Sequence, residues 1–354
     1  MPDIPPIVIS KTTLECVGFS ADKATAVWNA WTDHPQATDK GNKSFLYFMT
    51  VWPYGSHCPF LEHDDEKWRQ AMTAFGLSTD VQDKIMHPAF RELRLTRSCT
   101  HWCRDTVEIR FKALRYTQKP REHSRRAPAP SIFDKSESLT HIAARGISDH
   151  TILFKDIDEA RADGFLDTQG CVQHISRILH SSPSDFSSDR VYFHPELATV
   201  QCYAGYAKQR GTDETNIMIV CIAIPNAVLQ GLLLTDCGLQ RLYWPSEAWQ
   251  EFVDCNRTRQ TVPLELCRYQ LATLLIGSTA KYRLTCHRGV TEDTVLVMDG
   301  RPAVRYVFDG SDDGQDFLEK SIAQRPYIYH FTNGDWNTWL AEFEPRESGV
   351  QSAV

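Results

Sequence analysis

Residues 190–210 read RVYFHPELATVQCYAGYAKQR, and this stretch decides the fold. Arg190–Phe193 has the aromatic and β-branched character of a short strand, Pro195 interrupts it, and the spacing predicts a helix over Glu196–Gln209. Tyr192 then ends a strand and Tyr203 lies in the helix that follows. Two tyrosines so placed can turn back to face each other across one cleft and form a slot for a flat heteroaromatic ring.

Working outward, the chain around this stretch reads mainly as strands. Thr151–Phe154, Asn216–Ile224, Leu239–Tyr243, Glu251–Val253, Ala272–Ile276, Thr294–Met298 and Ala303–Phe308 are apolar runs of strand length, several rich in β-branched residues. Helices are expected at Val172–His180 and Gly314–Gln324. The strands outnumber the helices and lack regular βαβ alternation, so an α+β domain with a mixed sheet is expected over 149–345. No GxGxxG follows a strand, and neither GxxxxGK[ST] nor GxSxG occurs, which removes the usual support for nucleotide-loop and serine-hydrolase readings.

The N-terminal third has a different period. Val27, Trp28 and Trp31 follow a start at Ser20, and Trp68, Met72 and Phe75 recur at helical spacing before Gly76, a natural helix stop. Residues 1–117 therefore read as a small, mostly helical domain with its tryptophans in the core. Residues 118–148 read as a Pro/Arg-rich linker, opening QKPREHSRRAPAPS.

Composition bounds the function. The 354 residues are 42% hydrophobic and 23% charged, ordinary for a globular chain, and no apolar run approaches membrane-spanning length. The net charge of −7 argues against broad binding to nucleic acid or an anionic membrane. Residues 1–10 hold three prolines and no basic-then-apolar pattern, so no secretory leader is expected. Eleven scattered cysteines read as reduced thiols of a cytoplasmic protein. Cys99, His101 and Cys103 form one cluster and His57, Cys58, His63 and Asp64 another. Neither is followed by a matching ligand pair, so no metal is expected.

With these residues in view, the chain resembles the ADP-ribosyltransferase fold, which includes the poly-ADP-ribose polymerases and toxin-like relatives. Leu153–Asp156 corresponds to the family's first segment, Val191-Tyr192-Phe193 with Tyr203 to the second, and Glu251-Phe252-Val253 to the third. The likeness covers roughly residues 149–310, and the two-part layout is similar to that of fungal proteins. It implies an enzyme that consumes NAD as substrate, cleaves the nicotinamide–ribose bond and transfers to a protein acceptor or water. Tyr192 and Tyr203 would sandwich the nicotinamide, Lys155 would hold the pyrophosphate side, and Glu251 would stabilise the ribosyl cation through the 2′-hydroxyl.

Two departures support a different reading. Lys155 stands where the family has Arg or His, and Asp156 follows where it has Gly. Val200 replaces a hydroxyl residue three before the helical tyrosine. A lysine meets phosphate as a point charge without arginine's bidentate fork. These positions favour a catalytically silent module that binds a small ligand or partner; a biosynthetic enzyme reusing the cleft for another ring-bearing substrate is the third possibility. His194 and Cys255 are further candidates, as an acid or base and as a thiol.

Overall fold

The structure, a computed structural model, describes residues 5, 7–33, 42–51, 64–118, 138–179, 186, 190–281, 294–322 and 325–343. The metal candidates His57, Cys58 and His63 and nearly all of the basic Pro-rich stretch lie outside them. In chain order the N-terminal part contains helices α1 (Lys11–Cys16), α2 (Ala21–Asp33), α3 (Asn42–Val51), α4 (Asp65–Phe75), α5 (Thr79–Ile85), α6 (Arg91–Arg94) and α7 (Cys99–Thr117). Capping follows from the sequence. The Asp64 side chain accepts from the amides of Glu66 and Lys67 at the start of α4, and Gly76 ends that helix at φ +101°. Ser98 caps α7 through the His101 amide.

The remainder holds α8 (Leu139–Arg145), β1 (His150–Asp158), β2 (Arg190–Phe193), α9 (Leu197–Arg210), β3 (Ile217–Pro225), α10 (Asn226–Gly231), β4 (Leu239–Leu242), α11 (Glu247–Thr258), α12 (Cys267–Gln270), β5 (Leu274–Ser278), β6 (Val297–Met298), β7 (Arg301–Pro302), β8 (Val304–Asp309), α13 (Asp312–Ser321), β9 (Tyr327–Phe331) and α14 (Asn333–Phe343). The chain is thus mixed α/β. One sheet has the order β1-β3-β9, all antiparallel; a second has the order β2-β8-β5-β4, with β4 parallel to β5. Among the described residues a single bridge joins the sheets, with the amides of Phe154 and His194 each donating to the other's carbonyl at 2.8 Å.

Side-chain alternation explains the burial. In the first sheet Leu153, Ile157, Val220 and Ile222 pack into a cluster that continues over Val191, Phe193 and Phe308 of the second. On the opposite side Phe154, Ile219 and Cys221 meet Val200, Ala204 and Ala207 of α9. The core of the helical layer is shared with the rest of the chain. Its cluster of Phe45, Trp68, Phe90, Trp102 and Phe111 extends to Cys202, Tyr206 and Trp339. Phe90 stacks on Tyr206, Trp336 and Trp339 at centroid distances of 4.9, 5.5 and 5.1 Å.

Three expectations are corrected. Residues 251–253 are helical: Ser246 caps α11 through the Trp249 amide, and Trp249, Phe252 and Val253 form its buried stripe. Val172–His180 is not a long helix; Val172 bridges Leu166 around Gly170 (φ +85°), and one short 3₁₀ turn follows at Ile175–Ile178. The strand expected at Thr294–Met298 shrinks to β6, which pairs with β7 across Asp299-Gly300, both at positive φ as a tight hairpin turn requires. No helix among the described residues is long and apolar enough to cross a membrane.

Candidate functional site

Beyond the Phe154–His194 bridge β1 and β2 separate, and β1 runs on from Lys155 to Asp158 as an edge strand. The crevice so opened is closed over by α9 and by the N-terminal part of α7. Lys155, Tyr192 and Tyr203 all line it, together with His194 and Arg305. The strand–helix joint in the 190–210 stretch therefore brings the two tyrosines to one cavity. Because the Phe154 amide points at His194, alternation along the strand turns the backbone N–H and C=O of Asp156 toward the same open edge.

Arg305 sets what the tyrosines face. Its guanidinium carbon lies 5.8 Å from the Tyr192 ring centroid and 5.9 Å from that of Tyr203. Its Nη2 also donates to the Tyr203 hydroxyl at 2.5 Å. The space expected to hold a flat ring is thus served by a cation resting against both rings. Lys155 is 4% exposed, and its Nζ donates to the Tyr192 carbonyl at 3.1 Å. Burial brings its amine down to about 8 from an ordinary 10.5.

The cavity is basic although the chain is acidic overall. Among the described residues six cationic side chains line it (Arg97, Lys155, Arg161, Arg177, Arg210 and Arg305) against the carboxylates of Asp105, Asp156 and Asp158. Two of those carboxylates are already engaged. Asp105 pairs with Arg161 at 2.8 Å and Arg210 at 2.7 Å, and Asp158 with Arg161 at 2.9 Å. Arg210 also lies between the rings of Trp102 and Tyr206, 4.6 and 4.5 Å from their centroids. Burial pushes the Asp156 carboxyl up, against the pull of Lys155. The two lining histidines are held neutral: burial, aided by Arg97, takes His101 down to about 3, and burial with the Arg305 charge holds His194 well below its usual range.

Glu251 is elsewhere. It is exposed on α11, away from the buried stripe of that helix and outside the cavity lining. The third proposed family segment thus contributes no carboxylate to the site. Cys255 lies buried in the same helix. Cys99 and Cys103 face each other within α7 at 3.9 Å, and none of the cysteines among the described residues forms a disulfide. No group of three His, Cys, Asp or Glu side chains placed to hold a metal occurs among the described residues.

Arg305, Arg161, Arg210 and Asp105 were not legible as site residues, because nothing in their local sequence marks them. One signal was available: Lys155-Asp156 and Arg305 interrupt strands that are otherwise apolar, and a charge within such a strand needs a partner or a cavity. No protein-family model, curated protein or solved structure matches the chain.

Proposed function

We propose that this chain binds a small phosphate-bearing ligand in the crevice between its two sheets. The observation that carries the reading is Arg305 held against Tyr192 and Tyr203 beside Lys155, in a cavity where cations outnumber carboxylates. Positioned guanidinium and ammonium groups suit phosphate oxygens, arginine through its fork and lysine as a point charge. Of the roles raised by the resemblance, the pyrophosphate-holding role of Lys155 fits this setting. The sandwiching of nicotinamide fits it poorly, since Arg305 already occupies the faces concerned.

NAD is still a compound to test, because Lys155, Tyr192 and Tyr203 do share one cavity and an ADP-ribosyltransferase-like domain is the family they suggest. Cleavage would need a carboxylate at the ribose, and Glu251 does not supply it. The experiment is a thermal-shift and calorimetric series with pyrophosphate, ADP-ribose, NAD and nicotinamide, beside an assay for released nicotinamide. Pyrophosphate and ADP-ribose should raise the melting temperature, nicotinamide alone should not, and Arg305→Met should abolish the shift. Absence of any response to the phosphate-bearing ligands defeats the binding reading; rapid nicotinamide release restores the transferase.

A further inference from the structure

We propose that His194 is a phosphoryl acceptor: its Nε2 attacks the phosphorus of a phosphate ester held in the cavity, so that the chain is a phosphoryl-transfer catalyst. This rests on the phosphate-binding reading above and adds chemistry to it. The case begins with the tautomer. His194 Nδ1 lies 3.0 Å from the Val304 carbonyl oxygen, which can only accept, so Nδ1 carries the hydrogen and Nε2 keeps its lone pair. Nε2 has no hydrogen-bond partner among the described residues, and the residue lines the cavity.

The ring is also held in place. Its backbone is fixed by the two bonds to Phe154, and its face stacks on Tyr203 at 5.3 Å and 29°. A nucleophile so positioned needs little reorganisation to react. Burial and the neighbouring Arg305 disfavour the imidazolium, which could not attack. The charged groups around it, Arg305 first and Lys155 next, are of the sign that stabilises a transferring phosphoryl group. Asp156 lies on the same face of β1 as Phe154, lines the same cavity, and is held toward its protonated form by burial.

The step then balances. The His194 Nε2–P bond forms as the ester P–O bond breaks, and the departing alkoxide takes the Asp156 proton to leave as an alcohol. Water next attacks phosphorus, the N–P bond breaks, inorganic phosphate leaves, and the water's proton returns to Asp156. Nothing is oxidised or reduced. A merely structural histidine would satisfy the Val304 carbonyl equally well, so the test must read the covalent intermediate.

The full chain is incubated with phosphoramidate or acetyl phosphate and analysed by intact-mass and peptide mapping. Hydrolysis of p-nitrophenyl phosphate is followed in parallel. The expected result is one added phosphoryl group, acid-labile and alkali-stable, on the peptide carrying His194. His194→Asn, whose amide can still donate to Val304, should lose the label and reduce turnover by about 10³-fold or more. A phosphoryl group on another residue, or turnover surviving in His194→Asn, overturns the proposal. So does a wild-type protein that shows a pyrophosphate thermal shift but neither label nor turnover, and that outcome leaves phosphate binding intact. A protein with no thermal shift, no label and no turnover removes both. The wild-type label decides the question even if the variant fails to fold.

Discussion

A guanidinium resting against two aromatic rings and hydrogen-bonded to one of their hydroxyls has little rotamer freedom left to lose when an anion arrives. That is the physical content of the Tyr192–Arg305–Tyr203 arrangement. Tyr203→Phe keeps the ring and deletes only the hydroxyl that fixes Nη2, so ADP-ribose affinity should fall by about tenfold, roughly 1.4 kcal/mol, with the melting temperature little changed. Glu251→Gln, on an exposed face of α11, should alter neither quantity, since substitutions at such positions stay within about 0.5 kcal/mol. Calorimetry on the two variants checks both, and an affinity loss in Glu251→Gln equal to that of Tyr203→Phe would place the site elsewhere. Lys155 adds a pH signature. Its folded value near 8 lies below its ordinary 10.5, so the folded chain binds fewer protons than the unfolded one between those values, and the Lys155 contribution to stability rises with pH across that window. Ligand affinity should move the other way. As Lys155 loses its charge above about pH 8, ADP-ribose binding should weaken by up to about tenfold by pH 9. Asp156, Arg161, Arg305 and Arg97 also act on the amine; the arginines stay charged throughout that range, and burial holds both cavity histidines neutral. Lys155→Arg should flatten the profile, and an unchanged slope in that variant would assign the pH dependence to another group.

Elements were legible in proportion to the length of their pattern. Asn216–Ile224 and Arg190–Gln209 carry nine and twenty residues of consistent character, and β3, β2 and α9 formed where expected. Glu251-Phe252-Val253 is three residues long, and three residues satisfy period 2 and period 3.6 equally. The wider stretch from Ser246 carries the helix cap and the Trp249, Phe252, Val253 stripe, and those win. The cavity was half legible for a related reason. Tyr192 and Tyr203 are brought together by one local joint, whereas Arg305 arrives through β8 pairing with β2 and Asp105 through packing of the helical layer. Such long-range pairings leave no local trace. Ser98 offers a test at this scale. Its hydroxyl accepts from the His101 amide at the start of α7, so Ser98→Ala should cost about 1 kcal/mol and loosen the turn bearing Arg97 and His101. Denaturant melts should show the loss, and ADP-ribose affinity should fall with it while Lys155 keeps its pH profile. Unchanged binding would separate the first turn of α7 from the ligand.

Across the whole molecule the helical layer and the sheets are tied by groups that neither could bury alone. Tyr206 of α9 hydrogen-bonds the Ile85 carbonyl at 3.0 Å and stacks on Phe90, which also meets Trp336 and Trp339 of α14. Arg210 pairs with Asp105 across the same boundary, and its backbone carbonyl accepts from Arg110 Nε at 2.7 Å. Separating the parts would expose several aromatic rings and leave Arg110 and Arg210 without these partners. Removing one member of such a buried network costs about 3–5 kcal/mol, and each buried aromatic adds a burial contribution of about 1.5–3 kcal/mol. The two parts should therefore behave as one cooperative unit, although a change of composition separates them in the sequence. A protease site inserted between residues 119 and 137 and cleaved in the folded protein provides the test. The two fragments should co-elute under native conditions, melt in a single transition and retain pyrophosphate binding, because Arg97, His101 and Asp105 come from one fragment and Lys155, Tyr203 and Arg305 from the other. Asp105→Ala should weaken that association selectively, leaving Arg161 and Arg210 without the carboxylate they share. Fragments that part on a sizing column, with the C-terminal piece still binding pyrophosphate, would show that the helical layer is an independent domain and that the cavity does not need it.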